Sequence, residues 1–265
     1  MTQLTTIIRK SSEKTVFTGA IPVLFWLMFI GNLIFTSFHF PNVPEWKWGE
    51  LVKFNGFSAL LWTTVSFFGG VITTYASSYF KDRGQRSKFM LLCLGFTIAV
   101  MLFLVSEHIV LLMFSWLLMG AVMSNLIGLD SRWGEAREAK RFARQYFVIG
   151  SVFLSIGLLL LASYNHTITL SGVIDGIGKT PDHIIVIAAL CIIVAALIQS
   201  AIFPFHKWLL SSMTAPTPAS ALMHAGFVNG SGIVLTVLAT VIVASRTMDV
   251  LFIICLLYTS PSPRD

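Results

Sequence analysis

Long apolar runs separated by short polar connections make up most of the chain. The first run, residues 16–37, is about as long as the ~20-residue helix that crosses a bilayer. Further runs lie at about residues 56–80, 89–105, 109–129, 145–162, 184–202 and 218–245, and another begins at residues 250–258. The pattern predicts an all-α polytopic membrane protein with seven transmembrane helices and a truncated eighth.

Composition and charge agree with a membrane protein. The chain has 265 residues, of which 11% are charged, and its mean hydropathy is +0.81. A soluble domain averages about 25% charged residues, so soluble protein classes are excluded. The three cysteines lie singly inside apolar runs, without the spacing of a disulfide framework or a metal site. We therefore expect neither a metal nor a cofactor in this chain.

Lysine and arginine are concentrated in alternate connections, twelve in one set and four in the other. The positive-inside rule then places residues 1–15 in the cytoplasm and predicts a multi-pass protein of the cell inner (plasma) membrane. Residues 131–144 are basic and amphipathic, so we expect them at the membrane surface, outside the hydrocarbon slab and before the fifth helix.

A proline-rich polar stretch, FPFHKWLLSSMTAPTPASALMHAGFVNGSG at residues 203–232, separates two apolar runs. Proline removes a backbone donor, and freed backbone groups in lipid cannot turn to water. Pro204 therefore predicts that the sixth helix is interrupted between about Ile202 and Phe205. Pro216 and Pro218 mark the same broken region, which we expect to line a protein cavity, as broken helices do in many transporters.

His224 is the foremost candidate in the ion pathway, because an imidazole titrates near neutral pH and can pass a proton. In a regular helix Ser220 and Ser231 would share its face. The alternative is a packing histidine bonded to a carbonyl. We expect Asn229 on another face, as a hydrogen bond to a neighbouring helix or as an ion ligand. Small residues there, Gly226 and Gly230, would admit that helix.

Further polar residues are candidates for the ion pathway. Gln199 lies at membrane depth and either lines the pathway or joins helices by a hydrogen bond. His206 and Lys207 follow the break, where they either face a cavity or, for the lysine, reach towards the membrane surface. Glu107 and the adjacent His108 form either an ion entrance or a pair of solvated loop charges.

The motifs PFHKWL and APTPASALMHA, followed by a helix of small residues, resemble the proton-translocating antiporter-like modules of respiratory complex I and Mrp antiporters. The resemblance implies a five-helix repeat at residues 88–245, after two helices and their loops at residues 16–87. A second, inverted repeat usually follows in this family. We accordingly interpret residues 246–265 as a truncated next helix with an artefactual tail.

Two family positions differ in this sequence. Gln199 stands where the family has a lysine, and Leu117 follows Trp116 where the family has a glutamate. HAGFVNGSGIVLT, with Asn229 where complex I proteins usually have threonine, methionine or valine, resembles DabB-type (MpsA) subunits of inorganic carbon transporters. FSWLLMG and the basic connector after it resemble them too, and the similarity covers residues 50–245.

This resemblance implies the membrane subunit of a cation-driven uptake complex for bicarbonate or CO2, a transporter subunit rather than an enzyme. The subunit would conduct protons or sodium and anchor a DabA-like, carbonic-anhydrase-like partner that carries zinc at the cytoplasmic face. One alternative is a proton-translocating subunit of a complex I-like NADH-quinone oxidoreductase or an Mrp-type antiporter. A further alternative is a membrane scaffold that does not conduct.

Overall fold

The computed structural model describes residues 2–39, 43–80, 82–245, 250 and 253, with side chains from residue 19 onwards except Arg83. The helices are α1 (Thr2–His39), α2 (Gly56–Tyr79), α3 (Arg83–Val105), α4 (Ile109–Ile127), α5 (Gly134–Asn165), α6 (Leu170–Gly176), α7 (Asp182–Gln199), α8 (Lys207–Ser211), α9 (Thr217–Leu222), α10 (Gly230–Val237) and α11 (Ala239–Val243). Of the predicted eighth helix, only Val250 and Ile253 belong to the described residues.

Within the described residues, seven helical stretches are long and apolar enough to cross a membrane, which confirms the predicted all-α polytopic architecture. They comprise the apolar part of α1, then α2, α3, α4, α5, α7, and the stretch from α9 through α10. From α1 to α5 consecutive helices pack side by side, and α5 also packs against α7. The centre of the bundle is apolar and fully buried, with Phe89, Met123, Leu154, Ile192 and Phe227 among its residues.

One end of the bundle carries irregular and strand structure that we call the hairpin end, residues 46–54, 106–109 and 166–180. Strands β1 (Trp46–Trp48) and β2 (Val52–Phe54) pair antiparallel there, with Lys47 opposite Lys53. Gly49 makes the turn with φ +62°, a conformation that glycine adopts at little cost. Sequence reasoning treated this stretch as a loop and also missed α6.

The opposite end, which we call the basic end, comprises residues 82–88 and 128–144. The predicted separation between a surface segment at residues 131–144 and a fifth helix is wrong, because α5 is one helix of 32 residues. Its buried stripe of Ala136, Ala139, Ala143 and Phe147 continues across the expected boundary without a break. A helix of this length measures about 48 Å, more than the ~30 Å hydrocarbon core. That the basic residues lie outside the core stays a prediction.

The predicted seventh helix at residues 218–245 is divided into α9, a π-helical turn at Met223–Phe227, α10 and α11. A π turn contains one more residue than an α turn and is frequent at functional sites. The structure therefore places two irregularities close together along the chain: the interruption between α7 and α8, and this π turn.

Candidate functional site: an interrupted helix beside a π turn

The interruption lies between Gln199, where α7 ends, and Lys207, where α8 begins, which confirms the predicted break. Ala201 adopts a left-handed conformation with φ 54°, and the Phe203–Pro204 peptide bond is cis. The α7 carbonyls near the break still find donors, since the Ile202 amide bonds Leu197 O at 3.1 Å. The chain therefore leaves the helix without exposing all of its terminal backbone groups to lipid.

Trp208 fixes the short helix after the break. Its side chain is fully buried, and Nε1 donates to the Ile198 carbonyl at 2.8 Å. The ring also packs edge-on against Phe147, with centroids 4.7 Å apart, and near Phe227. A helix of five residues is unstable alone, so these contacts hold α8 in place. Sequence reasoning missed Trp208, although it lies inside the PFHKWL motif.

Asn229 supports the π turn from within its own helix. The Val228 amide bonds Met223 O at 3.0 Å and so is not available to His224 O, its acceptor in an α-helix. The side-chain amide of Asn229 donates to His224 O at 3.1 Å and to Ala225 O at 3.3 Å. The expectation that Asn229 bonds a neighbouring helix is therefore wrong.

Gln199 joins the interrupted helix to the π turn. Its side chain is 3% exposed, and Nε2 donates to Phe227 O at 3.1 Å. The hydroxyl groups of Ser200 and Ser231 bond each other beside this contact. Two neutral, buried polar contacts thus connect the end of α7 with the turn and with the start of α10.

The glycines of this region border other helices closely. A Cβ atom at Gly226 would lie 3.1 Å from the Phe96 ring of α3. One at Gly230 would lie 3.4 Å from Gln199 Nε2 and from Met119 of α4. The absence of side chains at these positions allows the π turn to sit against three other helices.

The candidate histidines do not converge with these amides. His224 is exposed, whereas Ser231 is buried, because the extra residue of the π turn changes the helix register. The expected face shared by His224 and Ser231 is therefore wrong. His206 stacks on Phe203, with ring centroids 5.8 Å apart. The buried Nδ1 of His206 has no hydrogen-bond partner among the described residues.

The remaining candidates, Lys207 and two of the prolines, lie at the beginnings of helices. Lys207 is exposed at the start of α8. Pro216 and Pro218 lie at the beginning of α9, where Pro216 O accepts from two amides of the first turn. Proline is well tolerated there because the amide that it lacks would have no intrahelical partner at the start of a helix. In the described part of the chain, no group of three or more His, Cys, Asp or Glu side chains is arranged to hold a metal.

Glu107 is buried at the hairpin end rather than solvated in a loop, so the expectation of a solvated charge is wrong. Its side chain is 8% exposed, and Oε1 accepts from the Ser171 amide at 2.9 Å. Its backbone bonds Leu51 and Leu170 on either side. The neighbouring His108 instead caps α4 through Nδ1, which accepts from the Val110 amide.

Comparison with known proteins gives one matching family model. The model described as "NADH:quinone oxidoreductase/Mrp antiporter, TM" matches residues 106–260. This range includes the interrupted helix, the π turn and Glu107.

Three relatives illustrate the range of similar proteins. The A/B subunit of the "Probable K(+)/H(+) antiporter" of Rhizobium meliloti is 27% identical over 230 residues, covering 83% of this chain and 23% of the relative. The "Probable inorganic carbon transporter subunit DabB1" of Halothiobacillus neapolitanus is 28% identical over 229 residues, covering 81% and 40%. The "NADH-quinone oxidoreductase subunit L" of Mycobacterium tuberculosis is 29% identical over 176 residues, covering 65% and 27%. The chain thus spans well under half the length of each.

Proposed function

Because the chain belongs to the NADH:quinone oxidoreductase/Mrp antiporter transmembrane family, we propose that it is the membrane subunit of a cation-gradient-driven uptake complex for dissolved inorganic carbon. In this proposal the subunit lies in the inner membrane with its basic end towards the cytoplasm. It conducts protons or sodium inward and anchors a DabA-like, zinc-containing partner that resembles carbonic anhydrase. The inward cation flux makes CO2 hydration on the partner directional.

We choose inorganic carbon transport among the functions of the relatives because of Asn229. Its amide supplies two N–H donors to the π turn. The threonine, methionine or valine that is usual in complex I proteins offers one hydroxyl donor or none. The identities of 27–29% to antiporter, carbon transporter and oxidoreductase subunits do not separate these functions. The contacts of Asn229 therefore favour the carbon transporter subunits that share this asparagine by resemblance.

His224 is the proposed proton-passing group of the described part of the chain. The side chain is exposed on the stretch from α9 through α10, which is long and apolar enough to span the membrane. An ionisable group facing lipid at such depth is costly, so we propose that another protein element covers it. An imidazole has two ring nitrogens, so a covered His224 can accept a proton on one nitrogen and release a proton from the other.

The test is growth in air of a host that requires bicarbonate uptake and carries the complete gene product with its DabA-like partner. We expect His224→Ala to abolish growth while membrane protein level and partner association stay near the parent's. His183→Ala is the matched control, because His183 is also exposed but lies at the hairpin-end start of α7. That variant should grow like the parent.

Each contrary outcome removes a different part of the proposal. Parental growth of His224→Ala contradicts the proton-passing role and leaves anchoring of the partner as the role of this region. If the parent complex supports no growth, the carbon-uptake proposal itself is wrong. Rescue of a potassium-sensitive, antiporter-deficient host by the parent would then assign the chain to the antiporter alternative, which the name of the R. meliloti relative supports.

A further inference from the structure

Two partly open cavities follow one another along the same three helices. The outer cavity, of about 290 Å³, lies at the hairpin end between the start of α2, the end of α3 and the end of α10. The deeper cavity, also about 290 Å³, lies between the middle of α2, the middle of α3 and the stretch that contains the π turn. On each helix, the residues that line the outer cavity lie nearer the hairpin end than those that line the deeper cavity. The two cavities are therefore arranged end to end.

Ile233 separates the two cavities. Of the described residues that line them, Ile233 alone is common to both. Thr236 and Val237 at the end of α10 line the outer cavity, and Asn229, directly before α10, lines the deeper one. One half-buried, β-branched apolar side chain therefore stands between a cavity at the hairpin end and a cavity that borders the π turn.

The outer cavity has the chemistry of an ion vestibule. Glu107 is more than nine-tenths buried and lines it, with Oε1 bonded to the Ser171 amide. Lys53 also lines this cavity but forms its ion pair with Glu45, with Nζ 3.9 Å from Oε2. Among the described residues, no Lys, Arg or His side chain forms an ion pair with Glu107. A buried carboxylate in such surroundings attracts water and a monovalent cation.

The deeper cavity is mostly apolar and borders the π turn, with Ala225 and Gly226 in its lining. Its polar lining groups in the described residues are Thr64, Thr97 and Asn229. Asn229 holds the π turn, and the next residue, Gly230, borders the Gln199 amide. The deeper cavity therefore borders the same turn whose Phe227 carbonyl accepts from Gln199.

We propose that the two cavities form an access route from the hairpin end to the π turn for water and a monovalent cation, and that Ile233 closes this route. Apolar constrictions exclude water from a narrow passage until they widen or become more polar. The route rests on the proposed function only for the identity of the cation. Opening requires displacement of one side chain and no rearrangement of the helices.

The experiment measures cysteine accessibility in oriented vesicles that contain the complete gene product, with Cys93, Cys191 and Cys255 replaced by alanine. Ser171→Cys reports on the outer cavity and Thr97→Cys on the deeper one, and both replacements nearly preserve side-chain size. The probe is a small, cationic, membrane-impermeant methanethiosulfonate added from the hairpin side. Ile233→Thr makes the constriction polar. Val237→Thr is the matched control, one turn further along α10 and facing the outer cavity only.

We expect rapid labelling of Ser171→Cys in every background and slow labelling of Thr97→Cys behind the parental Ile233. Ile233→Thr should accelerate labelling of Thr97→Cys about tenfold or more, as expected when a dewetted constriction becomes hydrated, and Val237→Thr should leave it unchanged. Equal rates with Ile233→Thr and Val237→Thr, or faster labelling of Thr97→Cys from the basic end, would overturn the route.

If Ile233→Thr does not accumulate in the membrane, Ile233→Val provides the same comparison by widening the constriction. It should give a smaller acceleration, and no acceleration counts against the route. Labelling needs neither the partner nor carbon uptake. A negative labelling result therefore overturns the route but does not bear on the growth test of His224. A negative growth test likewise does not change the interpretation of the labelling rates.

Discussion

Replacing Asn229 with leucine tests whether its side chain holds the π turn. The two side chains have the same number of heavy atoms and the same branched shape, but leucine cannot donate to His224 O or Ala225 O, which Asn229 reaches at 3.1 and 3.3 Å. Because Asn229 is exposed, the larger apolar surface of leucine should neither leave a cavity nor overpack a neighbour. The substitution therefore isolates the two hydrogen bonds.

The expected loss of stability follows from the number of bonds removed. Side-chain hydrogen bonds between membrane helices contribute about 0.6 kcal/mol on average and up to about 1.7 kcal/mol. Two donations to carbonyls of the same turn should therefore contribute about 1–2 kcal/mol. Since about 1.4 kcal/mol is a tenfold change in an equilibrium constant, the unfolded population should rise several-fold or more.

Asn125→Leu is the matched control. Its amide donates to Ala121 O at 2.8 Å in the regular helix α4, and the same carbonyl also accepts from the Ser124 hydroxyl. Removing the amide leaves that carbonyl bonded, so the loss should be at or below about 0.6 kcal/mol. Unfolding by sodium dodecyl sulfate in mixed micelles, followed by tryptophan fluorescence, measures both variants. Equal losses in the two variants, or no loss for Asn229→Leu, would refute the role of Asn229 in the π turn.

Two further substitutions test the packing of α7 and α8. Gly157→Ala should destabilise the protein by about 1–3 kcal/mol in the same unfolding assay, because its Cβ would lie 2.9 Å from Ala188 O. Gly232→Ala meets nothing within 4 Å and should be neutral or stabilising, so equal effects would contradict the close α5–α7 packing. Trp208→Phe removes the bond to Ile198 O and should speed tryptic cleavage after Lys207. Trp133→Phe, at a tryptophan that is 47% exposed, should leave that cleavage rate unchanged.

The sequence was sufficient to predict the seven membrane helices and the position of the break, because both depend on strong local signals. Long apolar runs can be satisfied in lipid only by helices, and Pro204 removes an amide that a continuous α7 would need. The continuity of α5 was also readable, since Ala136, Ala139 and Ala143 keep helical spacing up to Phe147. The basic charges of that segment favour a separate surface helix, whereas its small side chains form a buried face that continues into α5.

The site geometry depends on contacts between distant parts of the chain, which a single sequence does not reveal. The burial of Glu107 requires α6, whose Ser171 amide bonds the carboxylate from 64 residues away. The contact between Gln199 and Phe227 O spans 28 residues and involves a carbonyl, which has no sequence signature. The π turn itself changes the face of every residue after it. A face assignment based on regular helical spacing therefore failed for His224 and Ser231.

The proposed route would treat the two candidate cations differently. Among the described residues that line the two cavities, the charged side chains are Lys53 and Glu107, and both belong to the outer cavity. The deeper cavity offers the hydroxyl and amide oxygens of Thr64, Thr97 and Asn229, which do not change protonation near neutral pH. A proton can therefore pass this cavity only along water, so its movement depends on hydration at Ile233. Sodium, a hard cation that prefers oxygen ligands, could exchange water for these oxygens and rest beside the π turn. The neutral contact between Gln199 and Phe227 O suits either ion, because it places no fixed positive charge in the way.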